Sequence, residues 1–260
     1  MSGREMFDLT GKVVLVTGGN SGLGLGFAQG CARRGASIMI WGRRADRNAG
    51  AAQELLALGA PRVETAEIDV ADEGQVVAGF EEAAARMGRV DCVFVNAGKS
   101  GMAPSFIDLT TEQYEDLLAV NQHGAFFTLR EACRHMKVRA EGGDPGGSIV
   151  ICGSLSIFGG TQGLEHYAAA KGALAAMLKG IAVEMGPYQV RANMVAFGFF
   201  ATEMTGNAQV EEMMAQRAPL NAIGHLEDVH GIAAYLASDE SRFLTGQIIA
   251  LDGGRTAKSN

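Results

Sequence analysis

Thr17-Gly18-Gly19-Asn20-Ser21-Gly22-Leu23-Gly24 follows a short apolar run, Lys12–Thr17, and opens into a helix-periodic segment near 22–34. Gly18, Gly22 and Gly24 have the spacing G-x-x-x-G-x-G. Glycines so placed permit a tight turn, let the backbone approach a pyrophosphate, and let the helix pack closely on the strand. The helix N-terminus adds unpaired N–H donors and the positive end of a dipole, which suits an anion. A glycine-rich loop alone is weak evidence. Its place after the first strand assigns Gly18, Asn20, Ser21, Gly22, Leu23 and Gly24 to a phosphate cradle.

The rest of the chain repeats the strand-then-helix rhythm. Further strand candidates are Ser37–Trp41, Arg62–Ile68, Val90–Val95, Ser148–Cys152, Val190–Val195 and Gln247–Leu251. They are apolar on both faces, as expected where helices cover both sides of a parallel sheet. Helix candidates fall near 22–34, 45–58, 72–87, 111–138, 163–185, 208–216 and 226–238. This alternation predicts an α/β fold, a doubly wound parallel sheet flanked by helices. No linker or composition shift divides the chain, so residues 1–260 read as one domain. Glu141–Gly147 reads as a surface turn. The segment 197–220 follows the sixth strand and holds Met204, Met213 and Met214. Ligands bind beyond strand carboxyl ends in open α/β sheets, so this segment reads either as a substrate lid or as a methionine-rich packing helix.

Composition narrows the function classes. The 260 residues are 47% hydrophobic and 20% charged, which excludes intrinsic disorder. With 22 Lys and Arg against 29 Asp and Glu the formal charge is −7, so a nucleic-acid partner is not expected. No apolar run approaches the ~20 residues of a membrane span, and residues 1–10 lack a signal peptide's apolar core. A soluble, cytoplasmic protein is the expectation. Cys31, Cys92, Cys133 and Cys152 form no Cys-x-x-Cys pair and read as buried free thiols. The five histidines make no ligand pattern, and no metal is expected.

The end of the second strand separates the nicotinamide cofactors. A carboxylate there would bind the ribose 2′-hydroxyl of NAD, whereas arginine accommodates the 2′-phosphate of NADP. Here Trp41-Gly42-Arg43-Arg44 follows, with no acid before Asp46. The forked guanidinium donors of Arg43 and Arg44 favour NADP(H), with NAD(H) still open. Asp69-Val70 ends the third strand and Asn96-Ala97-Gly98 the fourth, on the edge along which such a cofactor runs.

Tyr167 and Lys171 stand four apart in a helical stretch and so share a face. A tyrosine with an ordinary pKa near ~10 is a poor acid–base group at neutral pH, and a nearby ammonium stabilises its phenolate. Ser154 lies 13 residues before Tyr167, just after the fifth strand, where its hydroxyl can bind the same substrate oxygen. Asn121, in the long preceding helix, offers a side chain to hold a water linking Lys171 to solvent.

Thr17–Gly24, Asn96–Gly98, Asn121, Ser154 and Tyr167-x-x-x-Lys171 together resemble the short-chain dehydrogenase/reductase family, from about Phe7 to Gly254. The resemblance implies a seven-stranded Rossmann-type sheet and hydride transfer between NAD(P)(H) and a ketone or secondary alcohol. It implies that Ser154 orients the carbonyl, Tyr167 is general acid/base, Lys171 binds the nicotinamide ribose, and Asn121 serves the proton relay. It also matches Asp69 and Val70 to adenine contacts, and Phe200 and Thr202 to nicotinamide contacts beside Gly198. Two positions depart from the family pattern. Phe197-Gly198 stands where Pro-Gly is usual, which frees the backbone and offers an aromatic wall to the nicotinamide. Val95 replaces the first Asn of Asn-Asn-Ala-Gly, a change expected to affect packing.

Proteins of this kind pair through the helix after Tyr167, here rich in Ala and Gly, and through the segment with Thr245-Gly246 and Asp252–Gly254. The expectation is a homotetramer, or a homodimer, acting on a small-molecule carbonyl or alcohol. The resemblance extends to 3-oxoacyl-carrier-protein reductases and to sugar-acid and alcohol dehydrogenases. Arg130, Arg134, Lys137 and Arg139 would form either a dock for an acidic carrier protein or an ordinary solvated helix face. The alternative function is a non-catalytic NADP(H)-binding sensor.

Overall fold

Val13–Thr17 forms β1, buried at every position. A strand with no polar face needs cover on both sides, and helices supply it. In the computed structural model, which describes residues 5–203 and 208–257, six more strands extend this one. They are β2 (Ser37–Trp41), β3 (Val63–Ala66), β4 (Cys92–Val95), β5 (Gly147–Ser154), β6 (Val190–Phe197) and β7 (Ile248–Leu251). All pairings are parallel, in the order β3-β2-β1-β4-β5-β6-β7. The chain builds outward from β1 to β3, then returns to place β4 on the other side of β1. That reversal is the topological switch point, where a crevice opens at the carboxyl ends. The single Rossmann-type domain expected from the sequence is the one observed.

Among the described residues there are eight α-helices, α1 (Gly22–Ala32), α2 (Ala45–Ala57), α3 (Glu73–Met87), α4 (Thr111–Leu118), α5 (Ala125–Glu141), α6 (Glu165–Met185), α7 (Ala208–Ala215) and α8 (Glu227–Ala237), and α1, α2, α3, α5, α6 and α8 cover the sheet. Side chains alternate across the strands, as a period of two requires. Val14, Val16, Ile38 and Ile40 pack with Phe27 of α1, Leu55 of α2 and Leu236 of α8. Leu15, Met39 and Trp41 pack on the opposite face with Phe80 of α3, Leu129 of α5 and Leu174 of α6. Val95, where the family pattern has asparagine, joins this second core.

The single helix expected over 111–138 is instead two α-helices joined by a wider π-helical turn, Ala119–Gly124. The turn passes directly over the segment that follows β3, since a Cβ at position 124 would lie 2.8 Å from the Val70 carbonyl oxygen. Such turns recur at functional sites, and Asn121 sits inside this one. After β6, α7 has no buried residue. Met204 lies outside the described residues.

Cys31, Cys92 and Cys152 are buried free thiols and Cys133 is half-buried. Burial pushes the Cys92 thiol up to about 12 and that of Cys133 to about 11, so neither is a ready nucleophile. Among the described residues no cluster of three His, Cys, Asp or Glu could hold a metal ion. No described helix is long and apolar enough to cross a membrane.

Candidate active site

The site begins where β1 turns into α1. Gly18 has φ +64°, a left-handed conformation that glycine adopts without strain. A Cβ at position 24 would fall 2.2 Å from the Gly18 carbonyl oxygen and 2.4 Å from Asn96 Nδ2, so only glycine fits there. Thr17 and Asn96 lock this turn to the end of β4. Thr17 Oγ1 accepts from the Asn96 and Ala97 amides, each at 3.0 Å, and Asn96 Nδ2 donates to the Thr17 carbonyl at 3.0 Å. Ser21, at the N-cap of α1, makes no side-chain capping bond. The first-turn N–H groups are therefore left for an anion, which fits a pyrophosphate.

Thr202 faces this loop from across the groove: a Cβ on Gly22 would lie 3.7 Å from its Cγ2. Between the two walls is a cavity of about 580 Å³ whose lining includes Asn20, Ser21, Gly22, Arg47, Thr202 and Glu203. Arg43 Nη1 lies 3.6 Å from Asp69 Oδ2, the arginine largely open to solvent and the carboxylate half-buried. Arg43 and Asp69, expected at the ends of successive strands, thus meet beyond the ends of β2 and β3. Arg44 is the N-cap residue of α2, in extended conformation. Val70 is buried beneath Gly124.

Asn48 is a residue that the motif reading misses. It is buried on the first turns of α2, donating from Nδ2 to the carbonyls of Gly42 (2.9 Å) and Ala66 (3.3 Å). Its Oδ1 accepts from Asn20 Nδ2 at 2.7 Å, so one amide ties β2, β3 and the phosphate loop together. The available sequence signal is Gly42, where a Cβ would lie 2.3 Å from Asn20 Nδ2 and 2.5 Å from Asn48 Oδ1.

At the inner end, β5 and α6 set the candidate catalytic groups. Lys171 is buried, and its Nζ donates to the Cys152 carbonyl at 2.9 Å. That bond fixes α6 two residues upstream of Ser154 and leaves two ammonium N–H groups for other partners. Lys171 Nζ is 5.8 Å from the Tyr167 ring centre, and Tyr167 packs against Leu117, Leu118 and Ala170. Ser154 Oγ accepts from the Ser156 amide at 3.2 Å, so its hydroxyl proton can still be donated. Gly163, at φ +77°, lets the segment before α6 press against the loop after β4: Ala103 N donates to Gly163 O at 2.9 Å.

Asn121 is fully buried, and its side chain is engaged with backbone. Oδ1 accepts from Lys99 N and Nδ2 donates to Lys99 O, both at 2.8 Å. One N–H and one lone pair remain. The expectation for Phe197 needs correcting. Its ring is buried, edge-on to Phe27 at 5.6 Å and to Phe200 at 5.1 Å, and so forms core instead of a wall of the groove. A proline would interrupt the ladder; phenylalanine lets β6 run on to pair with Ser154 and Leu251. Phe200 is buried too, against Gly224, so any contact it makes with a cofactor must come from its backbone. Gly198 donates its N–H to Leu251 O at 3.0 Å, and a Cβ there would lie 2.8 Å from Asp252 Cα.

A glycine-lined anion cradle at the switch point, with Tyr and Lys one turn apart beside a strand-end serine, defines a dinucleotide-dependent redox site. A family model described as Enoyl-(Acyl carrier protein) reductase matches residues 18–256. The NADP-dependent (R)-specific alcohol dehydrogenase of Lentilactobacillus kefiri is 37% identical over 96% of this chain and 98% of its own. Two crystal structures superpose along almost the whole chain. A short-chain type dehydrogenase/reductase from Mycobacterium marinum has a TM-score of 0.91 at 30% identity, covering 97% of this chain and 98% of that one. A gluconate 5-dehydrogenase from Burkholderia cenocepacia, in complex with NADP and tartrate, has a TM-score of 0.89 at 32% identity, covering 97% and 98%. This chain belongs to the short-chain dehydrogenase/reductase family and is an oxidoreductase.

Replacing Asn48 with Ala leaves two carbonyls and the Asn20 amide without their partner. Urea unfolding of Asn48→Ala is expected to show a loss of about 1–3 kcal/mol, the cost of unsatisfied buried groups. An unchanged midpoint would remove Asn48 from the architecture of the groove.

Proposed function

We propose that the chain carries hydride between NADP(H) and a ketone or secondary alcohol, with Tyr167 as general acid/base. The observation that supports this is the Lys171–Cys152 bond, which ties the helix carrying Tyr167 and Lys171 to the strand that ends at Ser154. Bound in the groove, the nicotinamide supplies or accepts the hydride at the substrate carbon. In the reducing direction Ser154 Oγ donates to the carbonyl oxygen, and Tyr167 delivers its proton to that oxygen as negative charge develops. The Lys171 ammonium stabilises the phenolate left behind. Asn121 holds the Lys99 peptide, and with it the loop after β4, and its spare N–H and lone pair can hold a water beside Lys171.

The cofactor assignment rests on Arg43 and Arg44, for the 2′-phosphate, with Gly18–Gly24 under the pyrophosphate. Asp69, Val70 and Asn96–Gly98 line its adenine and ribose course, and Gly198, Phe200 and Thr202 its nicotinamide end. The names of the alcohol dehydrogenase and of the gluconate dehydrogenase complex support NADP over NAD. The sensor reading has no observation in its favour, since the complete acid–base set is present.

A free small molecule is the better substrate than a carrier protein, because the basic run of α5 is not open. Arg130 pairs with Glu73 and Glu131, Arg134 with Glu131, Lys137 with Glu141, and Arg139 with Asp91 and Asp144. Segment 197–220 serves as the substrate lid, consistent with an α7 that buries nothing. The protein works in the cytoplasm, where four unpaired thiols stay reduced. It assembles as a homotetramer through α6, where Gly172 and Gly180 face open space and Val183 is 79% exposed, and through the end of β7.

Tyr167→Phe should lower turnover by at least about 10²-fold while NADPH still binds; near-normal turnover refutes the acid–base role. Arg43→Ala should weaken NADPH far more than NADH, measured by fluorescence titration, and an equal loss refutes the 2′-phosphate assignment. Gel filtration should return a mass four times the 27.2 kDa chain; elution at one chain mass refutes the assembly.

A further inference from the structure

Arg47 and Glu203 are absent from every motif in the chain, yet they meet across the groove. Arg47 sits in the first turn of α2, on the wall that also carries Arg43 and Arg44. Glu203 follows Thr202 on the opposite wall. Arg47 Nη1 donates to Glu203 Oε2 at 2.6 Å, a contact between residues 156 apart in sequence. Both line the cavity that holds Ser21, Gly22 and Thr202, and Glu211 of α7 lines it too.

The charges are in the wrong place for a groove built only to attract an anion. A dinucleotide brings negative phosphates to Ser21 and Gly22, and Glu203 and Glu211 stand on the facing wall. The Arg47 hydrogen bond, and then the charges of Arg47 and Arg44, hold the Glu203 carboxyl below the usual carboxylate range. Glu203 is thus ionised at neutral pH, and would repel a phosphate unless its charge is engaged. A guanidinium has five donors in a fork and can hold a carboxylate on one edge while turning another edge to a phosphate.

We propose that the Arg47–Glu203 pair is a clasp that joins the two walls across the phosphate end of the groove and retains the bound dinucleotide. Arg47 and Glu203 are positioning residues here: they act by holding the segment after β6 against α2, with Thr202 over the phosphate loop. The proposal rests on the NADP(H) reading of the groove.

The sign of one substitution decides it. If Glu203 acts only through its charge, Glu203→Gln removes a repulsion, so NADPH binds more tightly and leaves more slowly. If it closes a clasp, NADPH leaves faster. The NADPH dissociation rate is read by stopped-flow fluorescence, chasing with excess NADP⁺, for wild type, Glu203→Gln, Arg47→Gln and the double variant. The expected result is release about three- to fivefold faster in Glu203→Gln, the range open to an exposed ion pair. The Glu203→Gln effect should vanish in the Arg47→Gln background and shrink at high salt. Slower or unchanged release, or a Glu203 effect that survives without Arg47, overturns the clasp and leaves the cofactor reading standing. Wild-type protein that fails to bind NADPH overturns both.

Discussion

Position 24 has no room for a side chain, and the layout of the groove follows from that constraint. The first turn of α1 lies so close to the Gly18 carbonyl and to the Asn96 amide that a single methyl group would separate them. Because they touch, Thr17 and Asn96 can exchange hydrogen bonds and hold β1 and β4 in fixed relation at the switch point. The donors at the head of α1 then point into a groove whose opposite wall is built from the segment after β6. Asn48 performs the same service further out, where one buried amide replaces what would otherwise be three separate contacts.

The inner end of the groove depends on a different joint. Lys171 is tied to the carbonyl of Cys152, and β5 carries the chain from there to Ser154. Helix α6 cannot shift along its axis without breaking that bond, so the spacing of the serine, tyrosine and lysine is set by the backbone of one strand. The loop after β4 is held against this assembly by Asn121 from beneath and by Gly163 from the side. Aromatic packing of Phe197 on Phe27 and Phe200 then secures the sheet edge from which the outer wall departs.

Much of this was legible in the residues themselves. Apolar runs mark β1, β2, β4, β5 and β6 because buried parallel strands have no polar face, whereas the edge strand β3 reads Val-Glu-Thr-Ala and is mostly half-buried; the spacing of Gly18, Gly22 and Gly24 marks a turn that demands glycine. Tyr167 and Lys171 declare their common face through helical periodicity. What stayed hidden lies in contacts that periodicity does not encode. The π-helical turn around Asn121 arises from passage over Val70, and a run of helix-forming residues reads the same with or without it. Phe197 looked like a wall because its neighbours in sequence border the groove, whereas its ring follows the alternation of β6 into the core. Asn48 pairs with residues on three other segments, and Arg47 with one 156 positions away.

The junction at the switch point also bears on how the molecule comes to be. Thr17 and Asn96 are separated by 79 residues, and β4, which leads to Asn96, pairs with β1 although β2 and β3 come between them in the chain. Non-local parallel pairing of this kind is slow, because loop-closure entropy must be met before the contacts reward it. On a ribosome, at about 5–20 residues per second, the glycine turn waits several seconds for its partner to be synthesised. A chain released before Asn96 has a phosphate loop in sequence only. A nucleotide that binds the finished groove therefore stabilises the completed sheet and no earlier species, and its cellular concentration becomes a term in the protein's folding equilibrium.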